Sequence, residues 1–504
     1  MSTEPRGIGT RTLVGMMWAY GSYVGGRLLV LASTVILARL LAPEDFGLVA
    51  LAITFMSVLE GVADLGLSQA LIIQKDETVD SRAQTVFVST LGLGLGLSIL
   101  IAAVSPLLAQ FFDEPELVAV AAALGANFFL RSLGATHYAL AQRGLDFRAR
   151  ATAEFADVVV RGSVGVILAL AGLGVWSLVI GYLVGTITLD VAIWRMVPWR
   201  PSSLRARGAH FREMIGFGGT LSGVNIVATL IANVDYIFVG RVLGTAPLGL
   251  YTLGFRLPEL LVMNLSVVAG QVLYPAFSAV DRKALGQAFL VALRYTLMIG
   301  LPMAAGLAIL AEPFVLTLFG DQWRGSIEVM QILTVYALGV TIGIPAGSAY
   351  KATGRAGVLL KLGVARLALV VAGLALFVDN GIAAAAACQA AVAALASVVG
   401  IALAARLLKV GIRPIWRESW PSAVAAVALA AALVAVVAVV DSAVLELALA
   451  AVVGPAVYLG ALALVARDQL RYLIERIRRN TRPPSEADLA AYPEVKAREA
   501  DQVT

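Results

Sequence analysis

Apolar residues run along this chain in fourteen stretches, separated by short polar segments. A helix needs about 20 residues to cross the apolar core of a bilayer, and each stretch is long enough. The pattern predicts an all-α polytopic membrane protein with fourteen transmembrane helices. The predicted spans are 12–38, 46–70, 83–111, 117–140, 151–171, 174–197, 214–241, 248–277, 287–311, 325–348, 356–378, 381–405, 421–440 and 443–466.

The basic residues predict how these spans are oriented. With the N-terminus inside, 29 of the 38 lysines and arginines lie in cytoplasmic segments, three lie in outer segments and six lie within spans. The outer segments are acidic instead, as at Glu44, Asp45 and Asp113. Because loops rich in lysine and arginine stay in the cytoplasm, this bias places both termini there.

An internal repeat appears when the chain is offset by 202 residues. The sequence RLL at 39–41 then meets RVL at 241–243, and FGL at 46–48 meets LGL at 248–250. Chance similarity between apolar helices is the alternative interpretation. A repeat predicts two parallel six-helix lobes, an arrangement common in transporters. The lobes are 1–205 (spans one to six) and 206–410 (spans seven to twelve), followed by two additional spans in 411–466 and a basic, polar cytoplasmic tail at 467–504.

Composition excludes several kinds of chemistry. Cys388 is the only cysteine, and His137 and His210 are the only histidines, which leaves no set of ligands for a cysteine- or histidine-based metal centre. The chain contains no GxxxxGK[ST] loop and no HExxH pattern. We therefore expect no enzymatic activity, no cofactor and no metal site, and the net charge of +5 indicates orientation rather than nucleic-acid binding.

Charged residues inside the spans are the candidate functional groups, because an arginine at the centre of a bilayer costs about 2.5–3.5 kcal/mol on insertion scales. The spacing predicts ion pairs within single helices for Asp157 with Arg161 and for Arg256 with Glu259. Arg294, Arg39 and Arg241 lie towards helix ends, where they are expected to reach the membrane interface. The sequence places six arginines and six acids in spans: Arg27, Arg131, Arg161, Arg256, Arg294 and Arg366, with Glu60, Asp64, Glu154, Asp157, Asp235 and Glu259.

Three of these arginines have no acid one helical turn away. Arg27 follows Gly25 and Gly26 in the middle of the first span, and Arg131 and Arg366 also lie near mid-depth. They predict a cationic lining that attracts an anion, most simply a phosphate, because guanidinium binds phosphate oxygens with two parallel hydrogen bonds. Bonding between helices is the alternative role for them.

Four stretches together resemble the polysaccharide-transporter family of the MOP exporter superfamily, whose members include Wzx-type oligosaccharide flippases. They are ILARLLAPEDFGLVALAITF at 36–55, VADLGLSQALIIQKD at 62–76, NVDYIFVGRVLGTAPLGLYTLGFRLPEL at 233–260 and VLYPAFSAV at 272–280. With the fourteen-span plan, the resemblance extends over residues 10–465. It is strongest for exporters of lipopolysaccharide and exopolysaccharide repeat units.

The resemblance implies a flippase in the bacterial plasma membrane. Such proteins move a polyprenyl-diphosphate-linked oligosaccharide from the inner to the outer leaflet by alternating access of two lobes around a cationic cavity. Arg27 matches the first-span arginine of that cavity. The expected partners are this lipid-linked substrate, membrane lipid and, in assembly, a polysaccharide polymerase, with no nucleic acid.

From these considerations, the diphosphate is expected to bind at Arg27, Arg131, Arg256 and Arg366. Asp64, Asp235 and Glu60 are candidates for coupling transport to H⁺ or Na⁺, because a carboxylate that is removed from water binds a proton more readily. Two other classes of membrane protein remain possible interpretations of the sequence. A related ion-coupled multidrug (MATE-like) antiporter would need an acidic or apolar pocket for cationic drugs, and a membrane glycosyltransferase, polymerase or ligase would need a large outer loop.

Overall fold

The fold was analysed in a computed structural model that describes residues 25–63, 67–73, 79–202 and 228–467. The described parts are helical with short connections and contain no strand. The first eight helices are α1 (25–40), α2 (Pro43–Ala63), α3 (Leu67–Ile73), α4 (Val79–Phe112), α5 (Leu117–Gly125), α6 (Asn127–Arg143), α7 (Phe147–Leu170) and α8 (Val175–Met196).

The second half of the chain continues the same plan. Its helices are α9 (228–243), α10 (Thr245–Leu257), α11 (Asn264–Ala279), α12 (Leu285–Ile309), α13 (Ala311–Phe314), α14 (Ser326–Ala352), α15 (Ala356–Phe377), α16 (Ile382–Leu407), α17 (Ile412–Val439) and α18 (Ala443–Val465). A π-helical turn, Pro258–Met263, joins α10 to α11. The predicted cytoplasmic tail from residue 468 onwards lies outside the described residues.

The helices have the surface of a membrane protein. Within the described ranges, nine helices are long and apolar enough to cross a bilayer. Many large apolar side chains point outwards, such as Leu376 at 71% and Leu464 at 74% exposure. The helix at Gly357–Asn380 buries only 11% of its most apolar window, which is expected where lipid rather than protein covers the side chains. The other five predicted spans overlap helical segments in their described parts, namely α1, α2, α7, α9 and α10–α11, while 12–24, 64–66 and 214–227 lie outside the described residues.

We describe the helices as two groups, α1–α8 and α9–α16, because many of their contacts fall within each set. In the first group α7 packs along α8, and α4 packs on α5 and α6. In the second group α14 contacts α10, α11, α12 and α16. Helices α17 and α18 pack on each other, and α17 packs on α12 at the edge of the second group.

The start of α17 corrects two expectations. The helix begins at Ile412 rather than at residue 421, which places Glu418 inside the structure at 5% exposure. There Arg294 Nη2 lies 2.5 Å from Glu418 Oε2, so Arg294 binds a carboxylate on another helix instead of reaching the interface. A buried charge requires such a partner. The pair fixes α17 to α12.

At one end of the molecule, the two groups meet through a reciprocal contact between α2 and α10. Gly47 lies directly against the backbone carbonyl of Thr245, and Gly249 lies directly against that of Pro43. These two contacts exchange under the 202-residue offset, which relates position 47 to 249 and position 43 to 245. Any Cβ at either glycine would overlap the carbonyl oxygen, so only glycine allows the two backbones to approach this closely. We call this feature the reciprocal crossing.

Two arginines at equivalent positions of the sequence repeat, near the C-terminal ends of α1 and α9, reinforce the crossing. Arg39 donates from Nε to the carbonyl of Leu318 at 2.8 Å and also hydrogen-bonds the carbonyl of Thr317. Arg241 Nη1 lies 2.9 Å from Asp113 Oδ2. Each arginine therefore binds the opposite helix group while its side chain remains exposed, and the expectation that both reach the membrane interface stays a prediction.

Trp323 fills the space beside the crossing. Its side chain is fully buried, its Nε1 donates to the Ala38 carbonyl at 2.7 Å, and its ring packs edge-on against Phe46 at 5.2 Å between centroids. A buried indole stabilises an interface through its area and its single donor. The connection between α13 and α14 is thereby fixed to the first helix group.

The crossing gives a direct test. Gly47→Ala and Gly249→Ala are each expected to lower stability by about 1–3 kcal/mol, because the added methyl group forces the two backbones apart. Thermal unfolding of the purified protein in detergent measures this loss. Gly92→Ala is the matched control, because no atom lies within 4 Å of its would-be Cβ. Equal melting temperatures for all three variants would show that the glycines are not needed for the contact.

Candidate functional site

A cavity of about 410 Å³ lies between the two helix groups, next to the reciprocal crossing. Helices α1, α2, α7, α8 and α10 contribute to its wall. The two basic side chains in the lining are Arg161 and Arg256, and we call this space the arginine cavity. Its lining consists of Val30, Ser33, Thr34, Leu37, Phe46, Val49, Ala50, Ile53, Asp157, Val158, Arg161, Gly162, Gly165, Ser177, Leu178, Tyr182, Thr252, Leu253 and Arg256.

Arg161 is held by the residue one turn before it on α7. Its Nε and Nη2 donate to Asp157 Oδ1 at 3.1 and 2.9 Å, and Nη2 also reaches Oδ2 at 2.9 Å. The guanidinium carbon lies 4.2 Å from the centre of the Tyr182 ring, a cation–π distance. The close approach depends on α8, where a Cβ at Gly185 would overlap the Asp157 carboxylate. The predicted pair is confirmed, and it positions the guanidinium at the cavity wall.

Arg256 faces the same cavity from the second helix group. Its Nη1 lies 3.2 Å from Glu259 Oε2, as the spacing predicted. The π-helical turn begins between them, at Pro258. Both side chains remain partly exposed, at 30% and 42%. Arg256 is therefore tethered within its own helix and still accessible from the cavity.

Arg27 lies on the face of α1 that lines the arginine cavity. Val30, Thr34 and Leu37 follow it at intervals of three, seven and ten residues, which is one face of a helix, and all three belong to the lining. Its side chain is half-buried. Of the four residues predicted to bind diphosphate, Arg256 lines this cavity together with Arg161, whereas Arg27 lies one turn before Val30 on the same face of α1 and is not itself part of the lining.

A second cavity, of about 570 Å³, lies within the first helix group, among α2, α3, α4, α6, α7 and α8. Arg131 lines this cavity and not the arginine cavity. Four carboxylates line it as well, so we call it the acidic cavity. Those carboxylates are Glu60, Glu154, Asp157 and Asp190. Asp157 lines both cavities, which makes them neighbours.

Asp190 was missed at the sequence level. It lies within the predicted span 174–197, but the six acids that the sequence analysis places in spans do not include it. It is 7% exposed and packs against Gly134, where a Cβ would overlap its Oδ1. A single acid in an apolar segment was the signal that identifies it, since such residues are rare and usually functional. The balance of six arginines to six acids was therefore wrong.

Asp235 and Arg366 lie in the second helix group, outside the lining of both cavities. Asp235 is buried at 5% exposure and accepts a hydrogen bond from the Tyr251 hydroxyl at 2.6 Å. The Arg366 guanidinium carbon lies 5.6 Å from the centre of the Tyr336 ring. The structure thus does not bring Arg366 together with Arg256, and Asp64 lies outside the described residues.

These features define a multi-pass, all-helical membrane protein with a basic cavity between two helix groups. The chain matches the family model described as "Polysaccharide biosynthesis protein" over residues 36–328, more than half of its length, and it belongs to that family.

Two relatives illustrate the family. The lipopolysaccharide biosynthesis protein WzxC of Escherichia coli (strain K12) is 26% identical, over 70% of this chain and 72% of WzxC. The succinoglycan biosynthesis transport protein ExoT of Rhizobium meliloti (strain 1021) is 29% identical, over 63% of this chain and 64% of ExoT.

Solved structures show the same fold. The lipid II flippase MurJ in an inward closed conformation superposes with a TM-score of 0.74 at 17% identity, over 90% of this chain and all of MurJ. An inward-facing multidrug resistance MATE family transporter of the MOP superfamily superposes with a TM-score of 0.62 at 19% identity, over 76% of this chain and 94% of the transporter. At these identities the likeness concerns the fold alone.

The arginine cavity is expected to be filled with water, because Arg161 and Arg256 cannot lie in a dry apolar space. In a chain with Cys388→Ser, a water-soluble thiol reagent should label Thr34→Cys and Thr252→Cys, which line the cavity from the two helix groups. Mass spectrometry of the purified protein measures the labelling.

Thr341→Cys is the matched control, since Thr341 is 1% exposed and belongs to neither cavity lining. It should stay unlabelled. Absence of labelling at positions 34 and 252, with normal labelling of a cysteine at the exposed Asn380, would mean that the cavity is closed to water.

Proposed function

We propose that this protein is a transporter that moves a polyprenyl-diphosphate-linked oligosaccharide, a polysaccharide repeat unit, from the inner to the outer leaflet of the bacterial plasma membrane. Family membership supports the polysaccharide role, and relatives such as ExoT are transport proteins. The observation that carries the proposal is the arginine cavity, where basic side chains from both helix groups meet between spans. A diphosphate between the groups binds to both of them.

The chain has fourteen spans in this proposal, arranged as an N-terminal lobe, a C-terminal lobe and two additional helices. Both termini are cytoplasmic, so the reciprocal crossing closes the outer end. Alternating access then consists of opening the crossing while the cytoplasmic end closes. The Arg161 and Arg256 pairs support this mechanism, because each lies within one helix and survives a movement between lobes.

The diphosphate and the polyprenyl tail of the substrate have different requirements. Arg27, Arg161 and Arg256 bind the diphosphate through charge-assisted hydrogen bonds. Arg131 and Arg366 were expected in the same role, but their positions support it less directly, since one lines the acidic cavity and the other lies beside Tyr336. The polyprenyl tail stays in lipid, where no polar partner is needed.

Coupling to H⁺ or Na⁺ is assigned to carboxylates within the membrane. Asp235 is the best placed of the predicted candidates, because it is buried and its Oδ1 has no hydrogen-bond partner among the residues that the structure describes. Glu60 is exposed in the acidic cavity. In this proposal the protein acts as a carrier, and its similarity to the transport protein ExoT supports that role.

Loss of diphosphate contacts gives the test of this function. Arg27→Ala and Arg256→Ala should each reduce the glycan displayed on the cell surface by at least about tenfold, the effect expected when one hydrogen bond to a charged group is lost. Surface glycan is measured by labelling cells in which the chromosomal gene is replaced by the variant. Immunoblots of the membrane fraction show whether the protein level is unchanged.

Arg324→Ala is the matched control, since Arg324 is an exposed arginine that lines neither cavity. It should leave display unchanged. Normal display in both cavity variants would contradict the proposal. Robust ion-driven efflux of cationic drugs from cells that make the protein would instead favour the MATE-like function, for which the shared fold and the acidic cavity are the supporting observations.

A further inference from the structure

The acidic cavity differs in charge from the arginine cavity beside it. Its lining holds four carboxylates and one arginine, Arg131. A second diphosphate site is therefore a poor interpretation, because carboxylates repel phosphate oxygens. The cavity also has the size of a small-molecule site, since such pockets usually measure about 300–1,000 Å³.

Two of the four carboxylates already have partners. Asp157 binds Arg161 with both of its oxygens. Glu154 accepts a hydrogen bond from the Tyr138 hydroxyl and lies 3.9 Å from Arg150 Nη2. These two acids shape the wall of the cavity, and their negative charge is largely balanced by local arginines.

Asp190 is different. It is more than nine-tenths buried, and its Oδ2 has no hydrogen-bond partner within the described part of the chain. Arg131 and Asp157 act on it electrostatically, but no ion pair joins Asp190 to a described residue. A buried carboxylate oxygen without a donor is costly, by roughly 1–3 kcal/mol or more for a charged group. The site therefore lacks donors, which a ligand would have to bring.

The chemistry of the lining indicates which donors fit. A carboxylate is an acceptor with two oxygens, and neutral hydroxyl groups bind it through short, charge-assisted hydrogen bonds. Ser132 and Thr90 add hydroxyls, Gln142 adds an amide, and Tyr138 supplies a ring that covers apolar faces. A bound proton does not require a cavity of this size. A metal ion is not indicated either, because no group of three or more potential metal-ligating residues occurs among the described residues. A hydroxyl-rich, uncharged ring such as a sugar satisfies all of these groups.

The arrangement of the two cavities matches the order of groups in a lipid-linked sugar. In such a molecule, the first sugar is bonded directly to the diphosphate. Asp157 lines both cavities, so a diphosphate bound to Arg161 in one cavity places its sugar at the entrance of the other. This adjacency rests on the proposed function, because it requires the arginine cavity to hold a diphosphate.

We propose that the acidic cavity is the sugar subsite, in which Asp190 accepts hydrogen bonds from hydroxyl groups of a neutral sugar. The carboxylates that line the cavity make the subsite selective against uronic acids, whose own carboxylate would lie among them. Selectivity of this kind is strong where a site is built around buried polar groups, because the wrong ligand leaves them unpaired.

Binding of three defined probes tests the subsite. The full chain in lipid nanodiscs is titrated with undecaprenyl diphosphate, with the same lipid carrying one glucose, and with the same lipid carrying one glucuronic acid. The glucose should increase affinity over the bare diphosphate by about tenfold, the size of one charge-assisted hydrogen bond, and the glucuronic acid should not. Glucose that adds no affinity, or glucuronic acid that adds as much, would overturn the proposal.

Asp190→Asn keeps the shape of the side chain and removes its charge. It should abolish the gain from glucose and leave binding of bare undecaprenyl diphosphate unchanged. Glu60→Gln, at an exposed position of the same lining, should weaken the discrimination against glucuronic acid. This variant tests the subsite if the Asp190 variant does not fold. Asp379→Asn, an exposed acid in neither cavity lining, is the control and should change nothing. A wild-type glucose gain in Asp190→Asn, or unchanged discrimination in Glu60→Gln, would overturn the assignment.

Failure of the proposed function gives a different result. If bare undecaprenyl diphosphate does not bind, or if Arg256→Ala leaves binding of all three probes unchanged, then the arginine cavity is not a diphosphate site. If bare diphosphate binds, depends on Arg256, and gains nothing from glucose, then only the sugar subsite is wrong.

Discussion

The close approach of two backbones at the reciprocal crossing is the constraint on which the arrangement of the molecule depends. Gly47 and Gly249 each lie against a carbonyl of the other helix, so α2 and α10 touch without intervening side chains. The arginine cavity begins immediately beside this contact, at Phe46 on α2, and continues through Ile53 and, on α10, Arg256. Because α2 and α10 touch at this point, the position of the contact determines where along the two helices a cavity can form.

The charged pairs fall into two kinds, and the difference bears on movement. Arg161 and Arg256 bind acids on their own helices, so these pairs place charge at the cavity wall without joining the two helix groups. Arg241 binds across the groups, but its pair with Asp113 is exposed and contributes at most about 1 kcal/mol. The pair of Arg294 with Glu418 is buried and joins α12 to α17, which is where a permanent connection is needed.

Local patterns in the sequence predicted the parts of this structure that depend on local properties. Hydropathy placed helices correctly, and helical spacing identified the pair of Asp157 with Arg161. Partners that lie far apart in the chain were not predictable in this way. Arg39 binds the carbonyl of Leu318, which no pattern around residue 39 reveals. The early start of α17 was missed because its first turns carry charges, and the burial of Glu418 depends on its pair with Arg294 on another helix.

The energetics of the crossing are compatible with a contact that opens. It combines van der Waals contact between backbones, hydrogen bonds from Arg39 and one exposed ion pair with apolar side chains buried from both helix groups, such as Leu51, Leu248 and Trp323. A ligand shifts such an equilibrium only by its difference in affinity between the two states. A substrate that contacts Arg256 in one group and Arg161 in the other is sensitive to the distance between the groups, because both contacts hold only at certain separations. In the proposed function, the charges that bind the diphosphate therefore lie where its binding energy can act on the helices that separate during transport.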